Sequence, residues 1–368
     1  MRRLEQGSTG ARQRGAARRV RLSAVAAGTA LALVVVAGCG DDPEPETKTV
    51  LPSVTPTRVV APAIEEVSDA LAWPLTGEVS DKVANRPALS IKVENSPAAR
   101  PQFGLEKADL VYEEVVEGGI TRFIAVYQSK KPDEVGPIRS VRPMDANIVA
   151  QLGGLLVYSG GQSAFLGLAP AAGLQVVSMD SGHAGFSRTS SRRAPHNVIG
   201  DPDKFWGQAK KGHKKVPNPP FVFAESEDEA TAVVSGSDAK ELAVTMSNGH
   251  RPTWTWDGGE GVFLRSEGST PATSADGTRL SAKNVVVLEV EIRNTAYRDP
   301  AGNPVPETIV IGSGKGLVAT GGKTIKVKWE KKKQKSPFVL TADGEEVQLA
   351  PGNTWIELMP STRSYEVK

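Results

Sequence analysis

The sequence is poor in the residues that build disulfides, metal centres and nucleic-acid surfaces. Its 368 residues include a single cysteine, so no disulfide can form within the chain. The four histidines show none of the spacings of zinc motifs and there is no second thiol, which argues against a metal or another cofactor. Aromatic residues make up only 5%, and no basic stripe is interleaved with them, so nothing indicates a nucleic-acid partner.

The chain has one long apolar run, LSAVAAGTALALVVVAGC, which follows seven arginines and one glutamate and ends at Cys39. This order predicts a secretory signal over residues 1–38. The run is too short for a permanent transmembrane helix, which needs about 20 apolar residues. Its last four residues, Val36-Ala37-Gly38-Cys39, resemble a bacterial lipobox, in which the cysteine sulfur is lipidated with a diacylglyceryl group carrying acyl chains such as palmitate. The alternative is an ordinary signal with a chance cysteine, and Arg18-Arg19 leaves a twin-arginine export route open.

Removal of this leader would change the net charge from +2 to −4. Residues 39–72, which follow it, are rich in Asp, Pro, Glu, Thr and Val, and such a segment buries too little apolar surface to fold. As a coil it would reach roughly 30 Å. We therefore expect a globular body on a flexible tether, anchored to the cell membrane by lipid on Cys39 and facing outside the cytoplasm.

The remaining chain predicts an α+β fold in two domains. In the first, over 73–215, ALSIKVEN alternates apolar and polar residues and predicts a strand with one buried face, ADLVYEEVV and TRFIAVYQS predict a hairpin, and PMDANIVAQLGG predicts a helix. Because strands and helices do not alternate regularly, we expect a layered α+β domain. Prolines and charges mark a linker over 216–243. The residues beyond it, 244–362, consist of strand and turn patterns and predict a smaller β-rich domain.

Three segments, EGGITRF, GPIRSVRPMD and FSRTSSRRAPHN, gather arginines, carboxylates and a histidine at strand ends or in loops, where functional groups are usually displayed. Arginine presents a planar fork that suits carboxylates and phosphates. The group could equally be a structural ion-pair network, although surface pairs contribute only about 0–1 kcal/mol each. Its members are Glu117, Arg122, Arg139, Ser140, Arg142, Asp145, Arg188, Arg192, Arg193, His196 and Asn197.

At these segments the chain resembles the YerB-like lipoprotein family, a pair of bacterial domains of unknown function. The resemblance rests on NSPAARPQFGLEKADLVYEEVVEGGITRF, GPIRSVRPMD and RRAPHN in the first half, and on GSGKGLV, WEK and PGNTWIEL in the second. It implies a lipid-anchored extracytoplasmic protein with an α+β first domain and a β-rich second one, and it carries no established reaction. The positions that match the family pattern are Asn95, Arg100, Glu117, Arg122, Arg139, Ser140, Arg142, Asp145, Arg193, His196 and Asn197.

Two functions from different classes follow. The first is a non-catalytic binding or scaffolding module of the cell envelope, in which the arginines hold an anionic cell-wall ligand or an acidic segment of a partner protein. The second is an envelope hydrolase or transferase, with Asp145 or Glu117 as general acid or base and His196 as proton shuttle. The absence of a known nucleophile motif favours the binding module.

Overall fold

A computed structural model describes residues 71–368, so the predicted signal, Cys39 and nearly all of the predicted tether lie outside the described residues. The structure is mostly β, with 43% strand and 12% helix, and the prediction of an α+β fold with a layered α+β first domain is wrong. The physical reason is that the predicted helices are only one or two turns long, whereas strands from both halves of the chain pair in one large sheet.

Nine strands come from the first half of the described chain and sixteen from the second. The first nine are β1 (Leu71–Ala72), β2 (Val79–Ser80), β3 (Leu89–Glu94), β4 (Leu110–Val115), β5 (Thr121–Tyr127), β6 (Leu155–Tyr158), β7 (Gln175–Ser178), β8 (Phe186–Arg188) and β9 (Val198–Gly200). The others are β10 (Val222–Phe223), β11 (Ser237–Asp238), β12 (Glu241–Val244), β13 (Pro252–Asp257), β14 (Val262–Glu267), β15 (Thr270–Pro271), β16 (Ser281–Ala282), β17 (Asn284–Arg298), β18 (Pro304–Ile309), β19 (Gly312–Thr320), β20 (Lys323–Lys331), β21 (Val339–Ala342), β22 (Glu345–Glu346), β23 (Gln348–Leu349), β24 (Thr354–Pro360) and β25 (Tyr365–Val367).

The helices are short. They are α1 (Asp145–Val149), α2 (Ser163–Leu166), α3 (Leu168–Ala171), α4 (Pro202–Gly207) and α5 (Thr231–Ser235), with single 3₁₀ turns at Pro97–Ala99, Leu105–Lys107, Glu117–Gly119 and Lys211–His213. The predicted helix in PMDANIVAQLGG exists as α1, and the chain turns away at Gly153 and Gly154, which both have positive φ. None of the helices in the described part of the chain is long and apolar enough to cross a membrane.

The main sheet has thirteen strands, and its central path runs β22-β21-β20-β19-β17-β24-β4-β5-β3-β6-β7. β4 and β5 form the predicted antiparallel hairpin across Gly118 and Gly119. Strand β24, near the C-terminus, pairs in parallel with β17 on one side and with β4 on the other. The sheet therefore continues from one half of the chain into the other. A smaller six-stranded sheet, β15-β14-β13-β12-β25 with β16 beside β14, belongs to the second half.

Both faces of the main sheet are covered along its central strands. Leu110, Tyr112 and Ile124 pack into one core, and Val111 and Phe123, which alternate with them, pack into the other. All six residues of β3 are buried, so the prediction of a strand with one exposed face is wrong there. The charged residues of these strands are consequently enclosed, and each needs a partner in the protein.

The boundaries predicted for the two domains, 73–215 and 244–362, with a linker at 216–243, stay a prediction. The described residues, 71–368, lie in one compact unit by their contacts. Because β24 of the second half pairs with β4 of the first, separating the halves would break this parallel strand pairing.

Candidate functional site

The guanidinium groups of Arg122, Arg139 and Arg142 lie together at one end of the main sheet, and we call them the arginine cluster. The carbonyl oxygen of Ser140 joins two of them, since it accepts hydrogen bonds from Arg122 Nη1 at 2.9 Å and from Arg142 Nη1 at 3.4 Å. Two like charges on one carbonyl oxygen repel each other, so this arrangement calls for negative charge nearby.

The strands account for the position of Arg122. Arg122 stands in β5 directly between Glu94 of β3 and Glu114 of β4. Cross-strand neighbours project to the same face of a sheet, so the three charged side chains form a row. The segment that carries the other two arginines is fixed beside this row, because Arg139 N donates to Lys92 O at 2.9 Å.

Arg142 is fully paired. Its Nε and Nη2 donate to the two carboxylate oxygens of Glu117 at 2.5 and 2.7 Å, a bidentate ion pair. Its Nη1 donates to the carbonyl oxygen of Val141 at 2.9 Å, and both charged side chains are buried. Arg142 and Glu117 therefore satisfy each other and leave little capacity for a ligand.

Arg122 is not paired in this way. It is 4% exposed, its Nε has no hydrogen-bond partner, and no carboxylate of the described residues forms an ion pair with it. Burial lowers the pKa of Arg122 to about 9, and repulsion from Arg142 and Arg139 adds to this effect. The folded protein thus holds a nearly buried cation with free donors.

Arg139 and His196 share a carboxylate that the sequence reasoning missed, that of Glu94. His196 Nδ1 lies 2.9 Å from Glu94 Oε1, and Arg139 Nε lies 3.5 Å from Glu94 Oε2. Glu94 is buried, whereas the side chains of Arg139 and His196 are 21% and 29% exposed. These two side chains are the solvent-accessible edge of the cluster. Glu94 lies on the face of β3 that the alternating pattern predicts to be exposed. Because β3 is buried on both faces, its charged residues need partners, and this burial would have pointed to Glu94.

Asp145 lies below the cluster in a buried group with Lys92 and Glu114. Lys92 Nζ donates to Asp145 Oδ1 at 2.8 Å and contacts Glu114 Oε1. Asp145 Oδ2 accepts from the backbone N–H of Arg142 at 2.9 Å, so it also holds the arginine segment in place. Burial and the neighbouring Asp145 carboxylate raise the pKa of Glu114 to about 8, although Lys92 opposes them. Lys92 can neutralise only one of these two carboxylates, which is consistent with the other keeping its proton.

The other predicted residues have different positions. Ser140 contributes its backbone carbonyl oxygen to the cluster. Arg193 is exposed, and its side chain makes no hydrogen bond within residues 71–368. Asn197 is buried and shapes the loop before it, since its Oδ1 accepts from Arg188 Nη1 at 2.7 Å and its Nδ2 donates to Thr189 O at 3.3 Å. Arg192 bonds the carbonyl oxygens of Ala99 and Pro101 instead of joining the cluster.

A second charged network lies on the opposite face of the main sheet, and its centre, Arg265, was not predicted. Arg265 is fully buried and pairs with Glu113 at 2.7 Å and with Glu357 at 2.9 Å. Its guanidinium also lies within 5.3 Å of the centroids of three aromatic rings, those of Phe123, Trp254 and Trp355. Burial alone would raise the pKa of Glu113, but Arg265 and His250 hold it well below its usual range. Burial and repulsion by Glu113 raise the pKa of Glu357 well above its usual range.

The charged groups at this site are mostly hydrogen-bond donors. Among the described residues, no group of three or more His, Cys, Asp or Glu side chains is placed to hold a metal ion. The arginine cluster offers hydrogen-bond donors with positive charge, and the acceptors nearest to them, Glu94 and Glu117, are already engaged.

Comparison with known proteins agrees with the resemblance in the sequence. Two family models match: the N-terminal domain of the protein of unknown function DUF3048 over residues 75–215, and its C-terminal domain over residues 242–356. The chain is 29% identical over 306 residues to a Bacillus subtilis (strain 168) protein named "Putative lipoprotein YerB", which covers 81% of this chain and 89% of the relative. The crystal structure of YerB protein from Bacillus subtilis superimposes with a TM-score of 0.68 at 26% identity, covering 80% of this chain and 99% of YerB. This chain belongs to the DUF3048 family.

Proposed function

We propose that this protein is a lipoprotein of the bacterial cell envelope, anchored through lipid on Cys39, that holds an anionic group in its arginine cluster. The observation that carries the binding proposal is Arg122, a cation that is 4% exposed and whose side chain makes one hydrogen bond within residues 71–368, to the carbonyl oxygen of Ser140. The name of the Bacillus subtilis relative supports the anchor.

The charge balance of the site supports an anion as the ligand. Arg122, Arg139 and Arg142 carry three positive charges, whereas Glu94 and Glu117 carry two negative ones when ionised. A phosphate or carboxylate group would supply the missing charge and would accept the free donors of Arg122. Charge-assisted hydrogen bonds from guanidinium to such oxyanions are among the strongest in proteins.

The entry route would be the edge formed by Arg139 and His196. Arg139 is loosely held, with Nη1 at 3.3 Å from the Pro195 carbonyl oxygen and Nε at 3.5 Å from Glu94. A ligand that enters there could also bind the Arg139 guanidinium, and only these long contacts of Arg139 would have to break. An anionic cell-wall polymer or an acidic segment of an envelope protein would present groups of this kind.

Binding is favoured over catalysis because the two carboxylates proposed as acid or base are occupied. Glu117 forms the bidentate pair with Arg142, and Asp145 pairs with the buried Lys92. Removing a proton from a substrate would first require breaking one of these buried pairs. The catalytic alternative would have to use His196, oriented by Glu94.

The experiment is a retention assay of the purified chain on isolated cell-wall sacculi. We expect the wild type to be retained and to be released by rising salt, because the contact is ionic. Arg122→Met should lose retention, while Arg293→Met, which removes an exposed arginine elsewhere, should not. Equal retention of the Arg122→Met and wild-type proteins on sacculi would argue for a protein partner or for no wall ligand. The phosphate titration that closes the Discussion tests anion binding independently of the wall.

A further inference from the structure

A cavity of about 280 Å³ lies beside the network of Arg265, where residues of the two halves of the chain meet. The turn at Pro97–Gln102 forms one wall, and the segment from Glu267 to Thr273 in β14 and β15 forms the other. It shares none of its lining with the arginine cluster.

The charged groups of this cavity are one cation and one anion side by side. Arg100 Nη2 lies 2.9 Å from Glu267 Oε2, and these two side chains are 25% and 9% exposed. The rest of the Arg100 fork is anchored, since Nε donates to Asn95 Oδ1 at 3.0 Å and Nη2 to Asn95 O at 2.9 Å. Its Nη1 has no hydrogen-bond partner within residues 71–368.

The network behind this pair is balanced in charge. Glu267 also accepts from Arg265 at 3.0 and 3.1 Å, and Arg265 in turn pairs with Glu113. Glu357, which also pairs with Arg265, is held as the neutral acid because burial and repulsion by Glu113 raise its pKa well above its usual range. The two arginines and the other two glutamates then cancel, and His250, which contacts both glutamates, adds a charge only when it is protonated. A ligand with net charge would upset that balance beside buried charges, whereas a ligand with one charge of each sign would not.

The walls are apolar and stiff. Pro97, Pro101 and Pro271 line the cavity together with Ala272. Proline has a fixed φ, so these walls hold their shape when a ligand enters. Apolar walls with a few placed polar groups are the usual composition of a small-molecule site.

We propose that this cavity binds a free α-amino acid with an apolar side chain, its carboxylate on Arg100 and its ammonium on Glu267. An α-amino acid carries both charges on one carbon, which matches a cation and an anion in direct contact. The ends of a longer peptide lie too far apart to reach both. The side chain would lie against the three prolines.

The test is calorimetric titration of the full chain with leucine, using both the L and the D form, since the geometry does not select between them. We expect one of the two to bind, and N-acetylleucine and leucinamide each to bind at least about tenfold more weakly, because each lacks one charge. Equal binding of all these compounds, or no heat with either leucine at millimolar concentration, would overturn the proposal.

Three variants locate the binding. Arg100→Gln should abolish it, and Arg363→Gln, which removes an exposed arginine outside the cavity, should leave it unchanged. Since Arg100 contacts the buried network, its loss could unfold the protein. Thr270→Trp therefore provides a second test, because Thr270 is exposed on the rim and an indole there would fill the cavity. Leucine binding that survives Thr270→Trp would also overturn the proposal.

Discussion

Replacing Glu114 by glutamine tests whether the buried group beneath the arginine cluster keeps a proton. Lys92 contacts both Glu114 and Asp145, and all three side chains are fully buried. One lysine can neutralise one carboxylate, so the other is more stable as the neutral acid. Glutamine is close to a permanently protonated glutamate in size, and we therefore expect Glu114→Gln to be tolerated.

The effect should depend on pH with a defined sign. The pKa of Glu114 is about 8 in the folded protein against 4.5 ordinarily. Between these values the folded state holds the proton and the unfolded chain has lost it. Glu114 therefore lowers the free energy of unfolding progressively as pH rises from about 4.5 to 8. At about 1.4 kcal/mol per pKa unit, the loss is at most about 5 kcal/mol.

The assay is urea unfolding of the wild type and of Glu114→Gln from pH 5 to pH 9, followed by tryptophan fluorescence. The difference between the two proteins isolates Glu114, because burial also raises the pKa of Asp109, to about 6, and that of Glu357 in both. We expect Glu114→Gln to gain stability relative to the wild type as pH rises, and Glu346→Gln, at an exposed position of β22, to show no such trend. Lys92→Met should lose about 3–5 kcal/mol at neutral pH, since it strands Asp145. If Glu114→Gln were as destabilising as Lys92→Met at pH 8, Glu114 would be ionised and the reasoning refuted.

Two further outcomes follow from the same structure. Arg265→Met should lower the free energy of unfolding by about 3–5 kcal/mol, because it leaves the buried Glu113 without its partner. Arg293→Met, at an exposed position, should leave the melting temperature unchanged. Equal effects of the two variants in chemical denaturation would contradict the buried network. Cys39→Ser should move the folded protein from the membrane fraction to the soluble fraction on centrifugation, and membrane retention of the processed variant would contradict the lipid anchor.

The sequence predicted local structure well where a short signal controls it. The β4–β5 hairpin turns through Gly118 and Gly119, whose φ values of 70° and 73° suit glycine, and the helix predicted in PMDANIVAQLGG exists as α1. The arginine cluster was also predictable in part, since Arg122, Arg139 and Arg142 do lie together.

The fold class and the ion-pair partners of the buried charges were not predictable, because they depend on strands far apart in the chain. Nothing near β4 reveals that β24 lies beside it, which makes β4 an interior strand whose residues, Glu113 and Glu114 among them, are all buried. These adjacent glutamates project to opposite faces, so each enters a different network. Arg265, which pairs with Glu113, lies in the other half of the chain and belongs to no recognisable sequence motif.

The most direct test of the account is thermal unfolding of the wild type and of Arg122→Met, with and without inorganic phosphate at constant ionic strength. Without phosphate, Arg122→Met should melt at or above the wild-type temperature, because it removes a buried cation that forms no ion pair with a carboxylate of the described residues. Phosphate should raise the melting temperature of the wild type by selective binding to the folded state, and should raise that of Arg122→Met less. An equal phosphate shift in both proteins, or a large loss of stability in Arg122→Met, would contradict the anion site.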